Sequence, residues 1–99
     1  MPIAFRADLQ PFLAEFIEHH RGFHIGRMFG LPAGYAGRRL FVCLVEDGLI
    51  VKLPEQIAKT EVRTGRGGVW IKYKPRTAHE ATRLAPILEV AARHVAEAA

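Results

Sequence analysis

Residues 38–53, RRLFVCLVEDGLIVKL, decide the fold. Two runs of β-branched, aromatic and aliphatic residues flank Asp47-Gly48. That dipeptide is the strongest short-range hairpin signal, because both central residues of a type I′ turn need positive φ. With Asp47 and Gly48 as the loop, Glu46 faces Leu49, Val45 faces Ile50, Leu44 faces Val51, Cys43 faces Lys52 and Val42 faces Leu53. Side chains alternate across a sheet. One face then carries Leu40, Val42, Leu44, Val51 and Leu53, an apolar set that calls for helices above it. The other carries Phe41, Cys43, Val45, Ile50 and Lys52. It is too apolar for a wet face and holds a lysine, so a partner or ligand is expected there.

Outward from this ribbon, the elements follow in order. Leu9, Phe12, Leu13, Phe16, Ile17 and His20 recur at helical spacing, with Asp8 as cap, Pro11 in the first turn and Gly22 as stop. This predicts a helix over 8–21. A strand follows over 23–30. The segment 31–34, LPAG, reads as irregular or edge structure because proline cannot donate to a central ladder. Tyr35-Ala36 is a short strand before Gly37 turns the chain into the main one. Residues 54–61 read as a short helix with proline at its first position, and 62–68, VRTGRGG, as a basic loop. That loop lacks the Gly-Lys-Ser/Thr ending of a P-loop, and a strand rather than a helix follows it.

The last strand, 69–74, alternates Val69, Ile71 and Tyr73 with Trp70, Lys72 and Lys74. The second set joins Phe41, Cys43 and Lys52 on the uncovered face. An aromatic among lysines on a sheet is how single-stranded nucleic-acid platforms are made. Aromatic residues are equally enriched at protein interfaces. Thr77-Ala78-His79-Glu80 is a capping box opening a helical segment to about residue 97. Pro86 kinks that segment or restarts it. The expectation is one α+β domain over 1–99, ordered α-β-β-β-β-α-β-α, with one antiparallel sheet of about five strands flanked by the terminal helices.

Arg27-Met28-Phe29-Gly30, Gly34-Tyr35, Gly37-Arg38-Arg39-Leu40-Phe41 and Asp47-Gly48-Leu49-Ile50-Val51-Lys52 resemble the TfoX N-terminal-domain family. That family shows a Met-Phe-Gly start, a Gly-Lys-x-Phe-Ala step and an acidic-Gly-Leu-Tyr-x-Lys hairpin. The pattern is also similar to the MmcQ/YjbR-like proteins. Arg39 and Val42 depart from it: the family often has an uncharged residue at the first and a small one at the second. The resemblance implies a two-layer α+β fold with one antiparallel sheet. The competence regulators that name the family carry a second domain besides this one, so the resemblance does not bring transcription regulation with it.

Charge narrows the function classes. The chain of 99 residues has net charge +4. Its first 20 residues carry −2 and residues 77–99 carry −1, while 21–76 hold eleven Lys and Arg against four acidic residues, +7. The positive charge lies on the sheet and its loops, where it draws anions, nucleic acid above all. Arg38, Arg39, Arg63 and Arg66 are the candidate anion contacts. Phe41, Lys52, Trp70, Lys72 and Lys74 are the candidate binding face. One cysteine excludes an internal disulfide and fits a reducing cytoplasm; no apolar run reaches the ~20 residues of a membrane span. There is no serine nucleophile, and Cys43 has no histidine placed as its base. His19, His20 and His24 have no carboxylate or cysteine to complete a metal shell. A non-enzymatic regulatory or interaction module without cofactor is expected, pairing as a homodimer or with a protein partner through the sheet face. The alternative is a nucleic-acid-associated regulator using the basic face and loop.

Overall fold

The structure, a computed structural model, describes residues 4–54 and 69–97. The helix expected over 54–61, apart from Pro54, and the loop over 62–68, with Arg63 and Arg66, lie outside the described residues. Five strands pair in chain order as an antiparallel meander: β1 (Phe23–Met28), β2 (Leu31–Ala36), β3 (Arg39–Val45), β4 (Gly48–Leu53) and β5 (Val69–Tyr73). Helix α1 (Gln10–Glu18) precedes the sheet; one turn, α2 (Ala78–Ala81), and the long α3 (Ala85–Glu97) follow it. The fold is α+β, with one sheet and the terminal helices on one side of it.

Both helix stripes expected from periodicity enter the core. Leu9, Leu13, Phe16 and Ile17 meet Val42, Leu44, Leu49, Val51, Leu53, Val69 and Ile71, and α3 adds Leu88, Ala91, Ala92 and Val95. Thr77 caps α2 by accepting the Glu80 N–H at 3.0 Å. Pro86 restarts the helix rather than kinking it. It is the second residue of α3, after a 3-10 turn over Thr82–Leu84. Asp8 does not cap α1; its carboxylate takes two 2.7 Å hydrogen bonds from Arg6. A 3-10 turn, Ala7–Leu9, leads into a helix shorter than expected.

Three findings differ from expectation within the sheet. The β3–β4 register places Val45 opposite Gly48 and Leu44 opposite Leu49, so the loop is Glu46-Asp47. Gly48 is needed for space: a Cβ there would run into the Tyr73 backbone on β5. The slip is two residues, and an even slip by itself moves no side chain to the other face. Cys43 therefore pairs with Ile50, and Lys52 pairs with Trp70.

Second, β3 carries a bulge against β2. Gly34 pairs with Val42 but Tyr35 pairs with Leu40, leaving Phe41 as the extra residue. Phe41 and Val42 both turn to the helix side, where a Cβ on Gly34 would strike Val42 and crowd Ile17 and Phe41. Phe41 is 0% exposed and sits 5.4 Å from Phe23 and 6.2 Å from Phe16, ring to ring. Leu40 is flipped the other way and takes no part in the core. The bulge thus exchanges the two residues between faces.

Third, residues 31–36 form a full interior strand. Pro32 is tolerated because it pairs with Arg27, one step from the pair that closes the Phe29-Gly30 turn. In a two-residue hairpin that second pair exchanges no hydrogen bonds. On its other side the ladder with β3 begins only at Ala33 and Cys43.

Candidate functional site

No described helix covers the second face of the sheet, whose large side chains are absent from the core. Following the register across the strands, this face carries His24 and Met28 from β1, Leu31, Ala33 and Tyr35 from β2, and Leu40, Cys43 and Val45 from β3. β4 adds Ile50 and Lys52; Trp70 and Lys72 come from β5. Ala33 and Cys43, the small side chains at its centre, are buried. Met28, Leu31, Tyr35, Leu40, Val45, Ile50 and Trp70 around them are each partly exposed. Tyr35 lies flat: its ring stacks on His24 at 5.6 Å and covers Gly26, and its hydroxyl donates to the Arg27 carbonyl at 3.1 Å.

Of the expected binding residues, Lys52, Trp70 and Lys72 meet on this face, with Lys74 just beyond β5. Phe41 does not, because the bulge buries it under α1. Leu40 takes its place, an exchange with no sequence signal because both residues are large and apolar.

The lysines are already engaged. Lys72 Nζ lies 3.1 Å and Lys74 Nζ 3.6 Å from the two oxygens of the Asp47 carboxylate. The Lys72 hydrogen bond holds the Asp47 carboxyl below the usual carboxylate range, aided by the Lys74 charge. Lys52 Nζ sits 5.8 Å from the centre of the Trp70 ring, a cation–π contact.

Burial pushes the Cys43 thiol up, away from the reactive thiolate, and its neighbour across the strand is an isoleucine. His19 and His20 place Nδ1 at 2.8 Å and 2.7 Å from the Glu15 and Phe16 carbonyls of their own helix. Among the described residues no three His, Cys, Asp or Glu side chains converge as metal ligands.

Arg38 and Arg39 lie at the far end of the sheet from Asp47. There they line an open cleft of about 730 Å³ with Arg21, Phe23, Ala36 and Ala96. Arg21 was missed from sequence because it belongs to another loop. The β1–β2 pairing of Phe23 with Ala36 brings the two loops together, and the hydrogen bond from Gly37 N–H to the Gly22 carbonyl, 3.0 Å, extends it by one residue on each side. Comparison with family models, curated proteins and solved structures finds no match to this chain. No helix among the described residues is long and apolar enough to cross a membrane.

Proposed function

We propose that this chain is a non-enzymatic interaction module of the TfoX N-terminal-domain type, and that it pairs with a second copy of itself through the helix-free sheet face. Its role is regulatory or scaffolding. The observation that carries the reading is the ring of partly exposed large apolar side chains, Trp70 among them, on a face no described helix covers. Five strands ~4.8 Å apart, each about six residues long, make a face on the order of 500 Å². His24, Lys52 and Lys72 share that area with the apolar side chains, and a patch of several hundred Å² of exposed apolar surface is a usual mark of an interaction surface.

Size also sets the strength. A face smaller than the roughly 800 Å² per partner of a standard interface supports a weak, reversible dimer, in the micromolar range. Asp47 pairs with both Lys72 and Lys74 and cancels one of the three lysine charges, which reduces the repulsion that two copies of this face meet on pairing. The same pairing argues against this face as a nucleic-acid platform, because Lys72 and Lys74 would have to leave a carboxylate to meet a phosphate.

Light scattering over a concentration series tests the proposal. The wild type should pass from monomer to dimer with increasing concentration. Ile50→Glu and Trp70→Ala should stay monomeric with unchanged circular dichroism, since neither side chain belongs to the core. A wild type that stays monomeric throughout the series would refute the proposal.

A further inference from the structure

The end of the sheet beside the α1–β1 connection collects positive charge without neutralising it. The tie between Gly37 and Gly22 sets Arg21 beside the β2–β3 turn, where Arg38 and Arg39 follow. All three side chains are exposed, and among the described residues no carboxylate pairs with any of them. Elsewhere Arg6, Lys72, Lys74 and Arg93 each have one. Like charges gathered on one cleft repel unless a counter-charge meets them.

The end of α3 is too small a counter-charge. Ala96 lines the cleft, so the helix presents its negative end there. That end is worth roughly half an elementary charge, and Glu97 adds one exposed carboxylate, against three guanidinium groups. A net positive cleft remains.

Guanidinium groups match phosphate oxygens in paired hydrogen bonds. The rest of the lining is Gly22, Phe23, Ala36, Gly37 and Ala96, with no side-chain acceptor to read a base or a sugar hydroxyl. Phe23 is already stacked on His20, at 5.0 Å and 15°. The cleft can therefore hold a run of phosphates without reading the bases or sugars they are attached to, and its open shape admits a polymer backbone.

We propose that Arg21, Arg38 and Arg39 form a phosphate-binding site for the backbone of a nucleic acid, engaged without regard to base sequence. The cleft shares no residue with the helix-free face, so this site and the self-pairing surface stand or fall separately.

The test is fluorescence anisotropy of a labelled mixed-sequence DNA duplex titrated with the full chain at several salt concentrations. With three phosphates engaged, the slope of log affinity against log salt is about −2.7, roughly a 40-fold loss for a fourfold rise in salt. Arg21→Gln, Arg38→Gln and Arg39→Gln should each flatten the slope by about one. Arg93→Gln, whose side chain pairs with Glu89 on exposed α3, should leave it unchanged. Circular dichroism of each variant confirms folding, and Arg→Lys at the same positions should restore the slope. Inorganic tripolyphosphate serves as competitor. No salt-sensitive duplex binding by the wild type overturns the proposal, even if tripolyphosphate binds. So does an unchanged slope in a folded triple glutamine variant.

Discussion

Phe29 holds a backbone conformation that bulky side chains avoid, with φ +53°, and its ring is 82% exposed. With Gly30 at φ +81° it closes the β1–β2 hairpin, both residues on the positive side as a type I′ turn requires. The left-handed region costs a non-glycine residue about 1–2 kcal/mol, and the exposed ring recovers little of that by burial. Phe29→Asn should therefore stabilise the chain by up to about 1 kcal/mol. That corresponds to a rise of roughly 4–8 °C in Tm for a domain this size, read by thermal denaturation. Asp47 bears on acid stability. Its carboxyl is held down in the folded chain, so its contribution is complete above the ordinary carboxylate pKa and is lost as pH falls through the folded value. Below about pH 4 the Tm of the wild type should fall more steeply than that of Asp47→Asn. Parallel curves would mean the pair with Lys72 and Lys74 adds nothing in solution.

At the scale of the element, the bulge in β3 decides which residues meet the helices. The alternation of residues 40–44 fits either phase, because Leu40, Phe41, Val42 and Cys43 are all acceptable in a core. An extra residue in one strand leaves no mark in such a run, so Phe41 was expected on the open face and Leu40 beneath the helices. The Asp47-Gly48 signal misled for a related reason. Gly48 is demanded by the approach of the β5 backbone rather than by a left-handed turn, and the loop sits one residue earlier. The face assignments of Val42 to Leu44, of β4 and of β5 survived because the slip was even. The two helix stripes were legible because a 3.6-residue period repeats several times in each. The bulge is testable by charge insertion. Phe41→Glu should unfold the chain, since it buries a carboxylate among Phe16, Phe23 and Ile17. Leu40→Glu should leave the fold intact, with denaturant midpoints as the readout. The reverse order of effects would restore a sheet without the bulge.

Across the whole molecule, six of the eleven Lys and Arg of residues 21–76 fall into two groups that composition could not separate. On the sheet face that no described helix covers, Lys72 and Lys74 share the Asp47 carboxylate and Lys52 lies over the Trp70 ring. At the opposite end Arg21, Arg38 and Arg39 pair with no carboxylate among the described residues. Arg38 and Arg39 were visible in the sequence as an arginine pair after a glycine turn, but their convergence with Arg21 depends on the β1–β2 register that pairs Phe23 with Ala36 and ties Gly37 to Gly22. The proposed function places a second copy on the sheet face that no described helix covers. Trp70 is the only tryptophan in the chain and lies on that face, so its fluorescence reports there and nowhere else. The most direct measurement is the Trp70 emission maximum over serial dilution through the micromolar range. The maximum should shift to the red on dilution, with the midpoint at the dimer dissociation constant, and should be red and concentration-independent in Ile50→Glu. A wild-type maximum that stays constant over the whole range, equal to that of Ile50→Glu, would contradict docking on this face.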